Sequence, residues 1–145
     1  YQAFTDNGRN RTGRDVLSWS IEVEKLGAGE ILLTSVDKEG TGQGLDRELI
    51  QKVSSEINIP LVVHGGTGQP DHILEIEKES KISGVAIASL IHYHFIKNNR
   101  DIDGFEAEGN IEFLKSKRLF RKINPISLHD LKNALLAGKI NCRKN

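Results

Sequence analysis

Gly27-Ala28-Gly29-Glu30-Ile31-Leu32-Leu33-Thr34-Ser35-Val36-Asp37-Lys38-Glu39-Gly40-Thr41-Gly42-Gln43-Gly44 decides how this chain folds. It reads as a helix stop, a short strand and a glycine-rich acidic loop, in that order. Gly27 suits the residue after a helix, where a left-handed conformation is common. Ile31 to Ser35 opens on a continuous apolar run, which predicts a strand buried on both faces, as in a parallel sheet. Two more junctions of strand and small residues follow, at Val63-His64-Gly65-Gly66-Thr67-Gly68 and at Ile87-Ala88-Ser89. In βα architectures function sits where strands end, and here three successive strands end in loops whose backbone can approach a phosphate.

Outward from that stretch the same rhythm continues. Tyr1 to Thr5 reads as a strand, followed by the polar loop Asp6-Asn7-Gly8-Arg9-Asn10-Arg11. Thr12 is the predicted N-cap of a helix to about Leu26, with Val16, Trp19, Val23 and Leu26 on one face. A helix is predicted from about Asp46 to Ser55, then a strand from Ile59 to Val63 entered through Pro60. Pro70 suits the first turn of a helix ending near Ser80, because its missing N–H is not needed there. Val85 to Ala88 makes the next strand. Strands alternating with helices are the mark of parallel βαβ units. Residues 97–126 break the rhythm with a charged, glycine-containing insertion and one short helix around 110–117. Ser127 with Asp130 approximates a capping box for a closing helix through Ala137, with Gly138 as its stop.

Composition narrows the class. The 145 residues fall short of the roughly 250 typical of a closed eight-stranded βα barrel. Twenty basic residues balance twenty acidic ones, so no global field favours nucleic acid or a membrane. Any anion site is therefore local. No apolar run approaches the roughly 18 residues of a membrane span. The single cysteine, Cys142, excludes an internal disulfide and fits a reducing compartment. No methionine occurs, and the chain opens on Tyr1, which reads as a fragment or a processed piece.

Candidate sites follow from the junctions. Gly65 and Gly66 let backbone N–H groups crowd onto a phosphate, with the helix from Pro70 aiming its positive end at the same place. The plainer alternative is a tight turn that needs glycine for its dihedrals. Ala88 with Ser89 adds a second small-residue loop, and paired loops after late strands are the usual phosphate cradle of a βα barrel. Asp37, Glu39 and Gly40 offer carboxylates for protons or ligand hydroxyls beside a further backbone N–H. Glu30, at the foot of a strand read as buried, calls for a partner that the sequence does not identify. His64 beside the glycines is either an anion neighbour or structural. His92 and His94 lack further ligands at metal-binding spacing. Arg9, Asn10, Arg11 and Arg14 read first as a solvated cluster, and Cys142 as inert.

The stretches FTDNGRNRTG (4–13), EVEKLGAGEILLTSVDKEGTGQG (22–44), PLVVHGGTG (60–68) and VAIASLIHY (85–93) resemble the cyclase subunit of imidazole glycerol phosphate synthase. The closing segment SLHDLKNALLAGKINCR (127–143) is similar to that family's last helix. The resemblance implies an α/β fold, the C-terminal half of a (βα)8 TIM barrel carrying parallel strands five to eight. All of 1–145 would be this half barrel, with the insertion at about 97–126 and the closing helix at about 127–138. It implies a cytoplasmic enzyme that takes ammonia from a glutaminase subunit and uses no cofactor or metal. The substrate is a phosphoribulosyl-formimino carboxamide ribonucleotide; the products are imidazole glycerol phosphate and an aminoimidazole carboxamide ribotide.

The family's two catalytic aspartates match no residue here, so the resemblance assigns binding groups only. These are Gly65, Gly66, Ala88 and Ser89 for phosphate, Glu39, Gly40 and Asn7 for substrate, and Glu30 for the ammonia gate. Glu39 stands where the family has an aspartate, Asn7 where serine is common, and His64 where a small residue is usual. The long insertion is a further departure. Three other readings compete: a paralogue serving sugar amidation in surface-polysaccharide clusters, the sister isomerase of the same pathway, and a non-catalytic phosphate-binding half barrel. The cyclase reading expects the missing N-terminal half barrel and the glutaminase subunit as partners, and the half-barrel module expects a complementary half or a second copy, because open strand edges invite pairing.

Overall fold

A computed structural model describes residues 1–98 and 122–143. The predicted helix around 110–117 lies outside them. The first two strands, β1 (Gln2–Thr5) and β2 (Asn10–Asp15), form an antiparallel hairpin. This corrects two expectations. Tyr1–Thr5 is not part of the parallel sheet, and the residues read as the first helical turn are a strand. Thr12 does not cap a helix, because its hydroxyl donates to the Ala3 carbonyl across the hairpin at 2.8 Å. The helix starts one turn later, as α1 (Val16–Lys25), when Asp15 accepts from the Ser18 N–H at 2.9 Å.

α1 ends at the predicted glycine. Gly27 has φ +97°, and the Gly27 and Ala28 N–H groups donate to the Glu24 and Val23 carbonyls. That is a Schellman closure, which satisfies carbonyls the helix leaves open. Leu26 falls at the cap and is 75% exposed, so it leaves the apolar face on which helical spacing had placed it.

Three parallel strands follow: β3 (Ile31–Thr34), β4 (Leu61–His64) and β5 (Gly84–Ala86), in the order β3-β4-β5. The parallel sheet thus holds three strands among the described residues, not four. Helices α2 (Arg47–Glu56) and α3 (Pro70–Glu79) connect them, and α4 (Ser89–Asn98) follows β5. Ile31, Leu33, Leu61 and Val63 share one face of the sheet, since side chains alternate along a strand. Leu33, Leu61 and Val63 join Leu49, Ile50 and Val53 of α2 and Ile76 of α3 in the main core. Each fully buried aliphatic side chain there contributes roughly 1.5–3 kcal/mol.

The opposite face carries Leu32, Thr34, Val62 and His64. Leu32 is 61% exposed, so β3 is not buried on both faces as its apolar run suggested. The described helices supply a core to the other face only. Arg47 of α2 ties to Glu79 of α3, through Nε at 2.8 Å and through Nη2, and this guanidinium holds the Glu79 carboxyl below its ordinary range.

The closing helix α5 (Leu128–Ala137) begins at Ser127, whose hydroxyl oxygen accepts from the Asp130 N–H at 3.0 Å. It ends where predicted, after Ala137 with Gly138 at the cap. Gly138 nevertheless has ordinary φ, and the left-handed residue is Lys139 at φ +68°. Lys139 and Ile140 donate to the Leu136 and Leu135 carbonyls in the same closure used at Gly27. Gly138 is small for another reason: a Cβ there would run into the Leu74 side chain of α3.

Candidate functional site

The site forms where the three parallel strands end. β3 runs into Ser35 and the acidic loop, β4 into Gly65–Gly68, and β5 into Ile87–Ala88 and the start of α4. These loops are knit by backbone contacts. The Ser35 N–H donates to the His64 carbonyl at 3.1 Å, and the Gly44 N–H donates to the Gly66 carbonyl at 2.8 Å. Gly65 and Gly66 have φ +102° and +99°. A Cβ at Gly65 would meet the Ser35 carbonyl, and one at Gly66 would overlap the Gly44 carbonyl. Both glycines are therefore required by conformation and by close approach, whatever the pocket binds.

Glu39, Gly40, Gly65, Gly66, Ala88 and Ser89 line one shallow pocket, open to solvent, with His64 and Thr67 also in its wall. Six of the seven candidate substrate contacts thus come together. Asn7 does not. It stands at the hairpin tip with φ +52° and lines a separate groove between hairpin and β3, which also reaches Asp37 and Glu39. Glu39 borders both spaces.

One helix starts in the pocket wall, at Ser89, and another starts three residues past Thr67, at Pro70. Gln69 caps α3 without a side-chain hydrogen bond, and Pro70 occupies its first turn. Ser89 is the first residue of α4. Helix N-termini present unsatisfied N–H groups and partial positive charge, which suit an anion. Thr67 adds a hydroxyl that the sequence reading passed over inside the glycine run. Its Oγ1 is buried and has no partner among the described residues. The signal was there in the sequence: a hydroxyl between glycines has no helix or strand ladder to serve.

His64 is held from both sides. Its Nδ1 lies 3.3 Å from the Thr34 hydroxyl and its Nε2 3.4 Å from Glu39 Oε2. Residues 122–126 pass beside the pocket. Ile123 lines it, the Asn124 N–H donates to the Gly68 carbonyl at 2.8 Å, and Ile123 packs with Leu90 and Tyr93 of α4.

Glu30 stands at the other end of β3, roughly 13 Å away along a four-residue strand. It is exposed, with no ion pair or hydrogen bond recorded among the described residues, which corrects its reading as a buried charge in need of a partner. Of the remaining candidates, Arg9 pairs loosely with Asp6 at 4.0 Å. Arg14 lies over the Trp19 ring at 4.3 Å and reaches Glu22 at 3.3 Å. His92 packs beside Tyr93 and His94 meets Asn98, while the Cys142 thiol faces the Ile140 carbonyl. No group of three or more His, Cys, Asp or Glu side chains fit to hold a metal occurs among the described residues. None of the described helices is long and apolar enough to cross a membrane.

The model of the family described as histidine biosynthesis protein matches residues 2–97. The imidazole glycerol phosphate synthase subunit HisF of Pyrobaculum aerophilum is 44% identical over 96 residues, 66% of this chain and 38% of that relative. HisF of Sulfurisphaera tokodaii is 41% identical over 109 residues, 75% of this chain and 43% of that relative. HisF of Prochlorococcus marinus is 45% identical over 92 residues, covering 63% and 36%. The chain spans about two fifths of the length of these curated relatives.

Proposed function

The chain belongs to the histidine biosynthesis protein family, and on that premise we propose that it is part of an imidazole glycerol phosphate synthase cyclase subunit. It contributes the closing portion of a (βα)8 barrel and that barrel's distal phosphate site. One observation carries the reading: six candidate contacts from three strand ends share a pocket in which Thr67 leaves a buried hydroxyl unpaired.

In this account the phosphate lies between the loops of Gly65–Gly66 and Ala88–Ser89. It takes backbone N–H groups and the partial positive charge of two helix starts. Glu39 and Gly40 meet substrate hydroxyls, and Asn7 approaches from the hairpin. Glu30, at the far end of β3, stands at the ammonia entrance, where a glutaminase partner docks. Ammonia and a phosphoribulosyl-formimino carboxamide ribonucleotide are then the substrates, and imidazole glycerol phosphate and an aminoimidazole carboxamide ribotide the products. The acid and base of that reaction have no counterpart in this sequence, so the chain binds and orients but does not catalyse alone. The β3 edge, unpaired among the described residues, and the exposed Leu32 on β3 support a complementary half barrel as the partner that completes the sheet.

Gly66 is a poor probe, since any side chain there collides with backbone. Ser89→Ala is cleaner. Calorimetric titration with glycerol 3-phosphate should show affinity reduced about tenfold, the worth of one hydrogen bond to a charged group. The unfolding midpoint should stay unchanged. Equal affinity in the two proteins would remove the Ser89 hydroxyl from the phosphate site and leave only its backbone N–H there.

A further inference from the structure

The pocket has a charge problem. Among its described lining residues Glu39 and His64 are the only ionisable side chains, and neither Lys nor Arg is present. An anion held by backbone N–H groups therefore shares its pocket with a carboxylate, and like charges a few ångströms apart repel.

His64 stands where it can relieve that repulsion. Its Nε2 faces Glu39 Oε2 at 3.4 Å, and its Nδ1 faces the Thr34 hydroxyl at 3.3 Å. Thr34 and His64 are register partners on adjacent strands, so the ring is fixed by sheet geometry and not by a loop. A hydroxyl both donates and accepts. With His64 neutral, Thr34 donates to Nδ1, which leaves the ring proton on Nε2 for Glu39. With His64 protonated, Nδ1–H donates to the Thr34 oxygen and Nε2–H still meets Glu39. The ring thus changes charge without changing place.

We propose that His64 is the positioning residue of Glu39 and sets the pocket's charge for an anionic ligand. It aims one carboxylate oxygen back toward β4 and leaves the other for ligand hydroxyls. When protonated, it cancels the Glu39 charge and favours a dianionic phosphoryl group in the glycine cradle. The pocket is thereby selective for a ligand carrying a phosphoryl group and a nearby hydroxyl, and its affinity rises as His64 takes up a proton. The groups facing the ring are few. Among the described residues it meets Thr34 from β3 and Glu39 from the loop after β3, and its register partner on β5 is Ala86, while the charges Asp37 and Lys38 adjoin Glu39 in sequence. This inference rests on the phosphate-site reading.

Sulfate is the suitable probe, because its charge is constant across the imidazole range whereas a phosphomonoester titrates near pH 6. Its binding is followed by nuclear magnetic resonance at the Gly66 amide and the His64 ring, in the full chain, from about pH 8 to about pH 5.5. The wild type should bind roughly fivefold more tightly at the acid end, as expected for one charge cancelled nearby. His64→Gln keeps a donor for Glu39 but carries no charge, so its affinity should stay near the wild type's high-pH value throughout. Glu39→Gln should bind more tightly than wild type at pH 8. Spectra that overlay away from the pocket establish that the variants fold. A wild-type affinity independent of pH, or an unchanged slope in His64→Gln, overturns the role of His64 while leaving the phosphate site standing. No shift at Gly66 at any pH, in wild type or Glu39→Gln, overturns both.

Discussion

Asp46 shows how one side chain binds three elements. Its Oδ1 accepts from the Leu49 N–H at 3.1 Å, capping α2, and from the Tyr1 hydroxyl at 3.2 Å. Its Oδ2 accepts from the Ser35 hydroxyl at 3.3 Å, just past β3. The start of the helix near Asp46 is legible in the sequence; the ties to Tyr1 and Ser35 are not, since they depend on where distant segments come to rest. Asp46→Ala should lower the free energy of unfolding by about 1–2 kcal/mol, the usual worth of an N-cap, as read by urea denaturation. Asp46→Asn, which keeps an accepting oxygen, should lose less. The glycines teach a related lesson. The sequence offers Gly65 and Gly66 as phosphate binders or turn formers, but their tightest constraint is the carbonyl of another loop. Such contact is invisible in a linear sequence.

At the scale of elements, starts and stops signalled by local chemistry were readable. Gly27, Pro70 and Ser127 mark helix boundaries where the structure has them. The errors came where pairing overrode local preference. The hairpin claims Thr12 and delays α1, and β1 pairs antiparallel with β2 instead of joining the parallel sheet. α4 carries a weak signal, because only Leu90 and Tyr93 of its ten residues are buried and the histidines among them blur the apolar face. The end of α5 gives a sharp test. Lys139 bears the left-handed φ that sequence logic assigns to Gly138. Lys139→Gly should therefore stabilise the chain by roughly 1 kcal/mol. Gly138→Ala should destabilise it, because the new methyl meets Leu74. Thermal unfolding of the two variants gives opposite shifts if the assignment of the cap is right.

Across the whole molecule, the parallel sheet, its helices and the strand-end pocket follow from an alternation the sequence displays openly. What the sequence obscured is how much of the sheet is present. Among the described residues three parallel strands stand where four are expected, and Leu32 lies open on the face opposite the core. An apolar run reads as buried only if something covers it. The same limit applies to Glu30, whose burial depended on a neighbour not found among the described residues. The central claim nevertheless lies within the described residues: loops from separate βα units converge on one phosphate. Amide resonances of the chain titrated with glycerol 3-phosphate test this directly. Gly66 and Ser89 should shift together with a single dissociation constant, while amides of β1 and β2 stay in place. Shifts confined to one loop, or saturation of the two at different concentrations, would contradict it.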